Sequence, residues 1–538
     1  PEADGGGGLY FTAGIDKVGS GFEGDYSTSD SQHNQTRARG SSSEIKGNLI
    51  INAQDTLTQQ GASHQVGGAY RAQAAKVAQL EAHDRDSSRS QGTRVDAEVG
   101  VNVNYSAVLR PLARAAQKAA SLDVNGAIDE LGKVGKPNLG LDIGANGGTQ
   151  TESRSESRAK TTHIQAGTIE VTARDTIHDR GTQYRANMGG VTLQADNHRF
   201  EAASDSSQSS AAQGGATLRV YTTTGKDIGV TISGQGENRR REEQRSQAQS
   251  GSIQAQSGID IRLGQTGNYQ GTTLDGGQGK TQIHSAGDLH IVQATDSHST
   301  RHQGFDAHAR VSGDMNSGSA ALGGGQNNGQ QSNSQAHAAS IRSAGGVTLE
   351  SGGMLTLQGA QVDSQGEVTL RAADRLDLRQ ANAQRQQESC VWSGELSGGG
   401  GRSSGDSESW NGSLGAKAGV TMQHEQQSTA QGGQISGASV TLSAGSEARD
   451  ALHLQGTQVK GKAVTLSAQQ GGIMLESAKD SQVKNNWGFE ASGSLSVSQS
   501  MPLNIGLKVN VDQQDQTKQH NTQILAEQVN LSSHDVRM

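Results

Sequence analysis

Gly345–Gln380 reads GGVTLESGGMLTLQGAQVDSQGEVTLRAADRLDLRQ. VTL occurs at Val347–Leu349 and again at Val368–Leu370, while LTL at Leu355–Leu357 is echoed by LDL at Leu376–Leu378. Each echo falls 21 residues on (368 − 347 and 376 − 355). Each triplet sets two apolar residues on one side of an extended chain and a polar residue on the other. A 21-residue period is too short for a strand–helix–strand unit, and antiparallel hairpins would not need to repeat the same triplets at a fixed spacing. The period fits one coil of a parallel β-helix with about three short strands per coil. Leu349 is then expected over Leu370 and Leu357 over Leu378. Gly345, Gly359 and Gly366 are expected where the chain turns at positive φ or passes close to its neighbour.

A longer repeat contains this one. Polar runs are followed by a lead isoleucine at Ile45, Ile164, Ile253, Ile341, Ile435 and Ile524, at spacings of 119, 89, 88, 94 and 89. The expected organisation is a partial hairpin excursion over 1–44, repeats over 45–163, 164–252, 253–340, 341–434 and 435–523, and the start of a sixth over 524–538. The expected core comprises Ile45, Leu57, Ile164, Ile253, Ile341, Leu349, Leu357, Leu370, Leu378, Ile435 and Leu454.

Each repeat then leaves the coil pattern for a polar excursion. Ile505, Leu507, Val509 and Val511 alternate with polar or small residues, and Phe489–Val497 offers a partner strand. Such pairs are expected as extruded β-hairpins leaning half-buried on the spine. Tyr105–Pro137 differs: Leu109, Leu112, Ala116, Ala119 and Leu122 recur at helical spacing, with Arg110, Arg114 and Lys118 on the polar side. It predicts an amphipathic helix, a break at Gly126 and a short second helix around Ile128–Leu131. Leu109, Arg110, Leu112, Arg114, Lys118, Trp392 and Trp487 are candidates for contact with a membrane or partner, against the plainer reading of local packing.

The 538 residues include 74 glycines but only 4 prolines, and 31% are hydrophobic. That is thin for a compact globule, whereas a core one residue wide along a repeat protein needs no more. Cys390 is the only cysteine, so no internal disulfide forms. No run approaches the 18 or so apolar residues of a membrane-spanning helix. The opening PEADGGGG has no secretion signal, and the chain is expected to be an internal piece of something longer.

Enzymatic signatures are lacking. GGGG at Gly5–Gly8 has no following Lys-Ser/Thr of a phosphate loop. His298, His302 and His308 lack zinc spacing. Asp55 and Asp175 recur as turn residues and not as a catalytic pair. A polysaccharide-cleaving enzyme would need clustered carboxylates with a basic residue or calcium, and none is found. NRRREEQR at Asn238–Arg245 interleaves its arginines with glutamates and carries no aromatics, on a chain of net charge −8. That does not suit nucleic acid. No catalytic, cofactor or metal residue is expected.

The pattern of LIINAQDTLTQQGA, from Leu49, followed by polar hairpins at a period near 90, resembles the hemagglutinin repeats of large Gram-negative two-partner secreted exoproteins, among them filamentous hemagglutinin and contact-dependent growth-inhibition toxins. The resemblance runs from about Ser20 to the end. It implies a right-handed β-helical filament, monomeric, at the cell surface. It also implies an outer-membrane transporter engaged through a region outside this chain, and a stalk that presents or helps deliver a C-terminal toxin to a neighbouring bacterium, in contact with the target's outer membrane. An adhesin for host cells or glycans is the alternative. The chain departs from the family in lacking the secretion domain, the VENN motif and a toxic domain, and in its helical insertion.

Overall fold

The structure is a computed structural model and describes residues 2–13, 17–121, 123–223, 229–403, 409–497 and 503–537. Leu122 lies outside the described residues. Two sheets account for the described strands: a 25-stranded parallel sheet and a 12-stranded antiparallel sheet.

The parallel sheet is built from the apolar triplets. Val347, Thr348 and Leu349 pair in register with Val368, Thr369 and Leu370, and Leu355–Gln358 with Leu376–Arg379. Because the side-chain period is two, this register sends every leucine of the triplets to one side. One column passes through Ile51, Ala72, Val171, Leu193, Ile261, Ile283, Leu349, Leu370, Leu442, Leu466 and Leu531. Such columns merge into a single hydrophobic cluster spanning the repeats.

A recurrent junction ends each pair of layers. Gly61, Gly181, Gly271, Gly359 and Gly456 have φ of 56°, 62°, 59°, 60° and 58°, left-handed values that a side chain resists. Each faces the alanine that opens the next long strand: Ala82, Ala203, Ala294, Ala381 and Ala478 respectively. Of the other expected turn glycines, Gly345 and Gly366 serve close approach. A Cβ on Gly345 would meet the Gly279 carbonyl oxygen at 2.5 Å, and one on Gly366 the Gly345 carbonyl carbon at 2.9 Å.

The expected right-handed parallel β-helix with extruded hairpins is corrected. The parallel strands form one continuous sheet closed around its core, rather than an open solenoid. Nor are the excursions separate hairpins leaning on it. Each hairpin between the first and the last hydrogen-bonds to the hairpins before and after it, as Asn138–Lys160 does to Ala203–Thr223 and Ser317–His337 to Ala381–Ser403. The physical reason is that a lone hairpin exposes two open edges. Successive hairpins, launched from the same junction, satisfy those edges on one another.

The insertion forms helices Ser106–Ala120 and Val124–Gly132 at the far end of the hairpin whose strands are Ala82–Asn104 and Asn138–Lys160. The first helix ends at Ala120 and the second begins at Val124, so the expected break at Gly126 is not found: Gly126 lies inside the second helix. Asp123 Oδ1 accepts from the Gly126 N–H at 2.9 Å and caps that helix.

Candidate functional site

The antiparallel sheet is a single layer, and its two faces differ. Following the pairing from strand to strand, one row of directly opposed residues reads Leu9, Phe22, Val99, Ile143, Val220, Ile232, Val311, Ala320, Gly398, Leu414, Leu495 and Leu503. The row crosses the whole sheet. Two positions nearer the parallel spine, the row reads Gly7, Gly24, Ala97, Ala145, Leu218, Gly234, Ala309, Leu322, Leu396, Ala416, Gly493 and Ile505. Residues between these rows point to the other face. That face is polar: Glu98, Asp142, Arg219 and Arg310 lie on it, and Asp142 accepts from the Arg219 guanidinium. That pairing holds the Arg219 guanidinium above its ordinary pKa.

The apolar face is uncovered. Leu9 is 63% exposed, Phe22 68%, Leu322 64% and Leu414 63%. A single sheet with large apolar residues in solvent across its full width is the kind of patch that marks an interaction surface.

The sequence-predicted residues separate into two groups. Ile164, Ile253, Ile341, Leu349, Leu357, Leu370, Leu378, Ile435 and Leu454 are buried in the parallel spine, while Ile45 and Leu57 are half-buried. Ile45 stands off the column of the other lead isoleucines. It pairs with Val66, whereas Ile164 pairs with His64, whose partner two residues before Ile45 is Ser43. Leu109, Arg110, Leu112 and Arg114 are exposed on the first helix and Lys118 is half-buried. Trp392 and Trp487 are exposed on the apolar face of the sheet, with the Trp392 indole N–H donating to Gln326 Oε1 at 3.0 Å. The two groups of contact candidates, helical and aromatic, are not brought together. Ile505, Leu507, Val509 and Val511 lie in a paired strand, but their side chains fall outside the described residues. Cys390 is half-buried in an open groove beside Met422 and Trp487.

A buried polar cluster in the spine was not read from the sequence. The Tyr184 hydroxyl donates to Asp179 Oδ1 at 2.8 Å, His198 Nε2 lies 2.9 Å from Asp179 Oδ2, and the Tyr269 hydroxyl lies 2.9 Å from His198 Nδ1. Burial pushes the Tyr184 and Tyr269 phenols well above their ordinary pKa. Asp179, His198, Tyr184 and Tyr269 are at most 1% exposed, so a substrate cannot reach them, and the arrangement satisfies buried groups instead. Further along, His453 Nδ1 lies 2.9 Å from Asp377 Oδ1 and its Nε2 3.2 Å from Glu476 Oε2. The Asp377 contact holds the imidazole above its ordinary pKa. Among the described residues no group of three or more His, Cys, Asp or Glu is placed to hold a metal.

The family profile described as "Hemagglutinin repeat" matches residues 22–125, 143–307, 232–390 and 414–538. A hemolysin of Serratia marcescens is 42% identical over 98% of this chain and 34% of its own length. A hemolysin of Proteus mirabilis is 31% identical over 96% of this chain and 35% of its own length. The chain therefore spans about a third of the length of these relatives. Among solved structures, the ferric yersiniabactin uptake receptor FyuA from Yersinia pestis covers 96% of this chain and 62% of its own at 7% identity, with a TM-score of 0.20, too low to bear on the fold. The family is one of secreted, surface-associated exoproteins. The chain belongs to the hemagglutinin-repeat family, as part of an exoprotein related to the two-partner-secreted hemolysins.

Proposed function

We propose that this chain is a carrier segment of its parent exoprotein, a stiff support that presents or helps deliver a toxic activity to a neighbouring cell. The observation that carries this reading is the unbroken core column from Ile51 to Leu531, which passes through every repeat. A continuous core transmits position along its length, and each layer pairs only with the layers on either side of it, so a whole unit can be lost without unpairing the rest. The test is deletion of one full repeat, Gly271 through Gln358, in the secreted parent. The deletion joins Gln270 directly to Gly359, one junction glycine replacing another. A carrier keeps secretion and keeps target killing. Loss of killing with secretion and folding intact would defeat the reading.

A second reading is that the segment itself acts on the target membrane. The uncovered apolar face of the antiparallel sheet supports it, and the two relatives are named hemolysins.

A further inference from the structure

We infer that the outer half of the antiparallel sheet is a lipid-contact surface, whose apolar face takes the acyl chains of a bilayer. The inference rests on that second reading and assigns it to a place in the fold.

Three observations converge. The first is height. On the strand Ala82–Asn104 the apolar face carries Thr93, Val95, Ala97, Val99 and Val101. The five register rows through these residues contain no charged side chain on any strand they cross. The next row toward the spine brings Asp30 and Arg240, and the next toward the tips brings Arg402. The uncharged band thus covers nine residues of strand, Thr93–Val101. At about 3.4 Å per residue it is roughly 27 Å tall, against about 25–30 Å for the hydrocarbon layer that membrane strands face.

The second observation is the rim. Phe305, Trp392 and Phe489 stand on one register line at the spine-side edge of the band. Phe11 and Trp410 stand toward the tip side. Aromatic rings at both edges of an apolar band match the two interfaces of a bilayer.

The third is backbone satisfaction. Every strand of the sheet except the outermost two is hydrogen-bonded on both sides, which is what hydrocarbon demands of extended chain. A second protein, by contrast, would account for a bounded patch and not for a band of constant height across twelve strands. The polar face, with Glu98, Asp142 and Arg219, would remain in water.

The test uses the whole chain with Cys390→Ser and single cysteines carrying an environment-sensitive fluorophore. Val99→Cys, Ile143→Cys and Ile232→Cys report the band; Glu98→Cys and Ser233→Cys report the opposite face at the same height. Vesicles of phosphatidylcholine and phosphatidylethanolamine should shift the three band sites to the blue, quenched by lipid-borne quenchers, and leave the other two unchanged. Ile143→Asp with Ile232→Asp should cut vesicle flotation at least about tenfold with the thermal unfolding of the spine unmoved; Ser233→Asp should float as the parent does. No flotation, or an equal response from both faces, would overturn the assignment. So would a lipid-independent dimer abolished by the same double substitution, which would make the occupant a second copy. Each of these failures leaves the carrier reading intact, because repeat deletion tests that reading without reference to lipid.

Discussion

A Cβ built on Gly359 would stand 2.5 Å from the Cβ of Ala381, the residue that opens the next long strand. Gly359 also holds φ at 60°, and its N–H donates to the Arg379 carbonyl at 2.8 Å. The turn that leaves the parallel spine and the strand that enters the antiparallel sheet are therefore fitted to each other at this contact.

Gly359→Ala should be destabilising on two grounds. The left-handed backbone costs about 1–2 kcal/mol with a side chain, and the added methyl overpacks Ala381 by about 1–3 kcal/mol. Gly47→Ala, where an added Cβ meets nothing within 4 Å, is the control. Urea denaturation should show a lower midpoint for the first and little change for the second.

Leu370→Ala should cost about 2–5 kcal/mol, since the fully buried side chain leaves a cavity between Leu349 and Leu442 above and below it. Because neighbouring layers share that column, hydrogen exchange should quicken in Val347–Ser351 and Ser439–Ala444 as well as at the mutated strand.

Asp179→Ala removes the acceptor of both His198 and Tyr184 inside the core. Buried donors left without partners cost about 1–3 kcal/mol each. A clear loss of thermal stability is expected, with vesicle binding by the folded protein unchanged, because the cluster lies in the spine and not in the sheet.

His453 gives a pH dependence. Its folded pKa is held above the ordinary 6.5 by Asp377, so the folded state favours the protonated ring. That stabilisation is fully present below the unfolded value and is lost as pH rises through the folded one. The stability gap between the wild type and His453→Gln should be wider at about pH 5.5 than at about pH 8.5. A gap that does not narrow with rising pH would count against the assignment.

Much of the spine was legible because its signal is local and repeats: Val347 and Val368 announce their pairing by identical triplets 21 residues apart (368 − 347). Ile45 misled because an apolar residue two positions along a strand keeps the same face and the same look. The last hairpin was also legible by itself, in the alternation of Phe489–Val497 against Ile505–Val511. The sheet was not, because Ile143 meets Val220 across 77 residues (220 − 143) with a parallel layer pair between them. Only the shared junction sets the stagger that lines those rows up. Asp179 and His198 were missed for a different reason. Neither recurs at its slot in later repeats: the column of Asp179 runs on through Phe200, Tyr269, Ile291, Leu357 and Leu378, and that of His198 through Gly267, Leu289, Leu355 and Leu376.

Between one hairpin and the next, the spine adds two layers, as at Ile253 and Leu274, then Ile341 and Val362, then Ile435 and Val459. Each hairpin adds two strands to the antiparallel sheet. Strands in either sheet are spaced about 4.8 Å apart, so every repeat lengthens both by the same step of about 10 Å. The two sheets are commensurate: neither must stretch or buckle to keep pace with the other. A gene that gains or loses one such unit changes the reach of the spine and the breadth of the amphipathic wall together, in fixed proportion. Gain or loss of a lone hairpin, or of a lone layer, would throw every later row out of step.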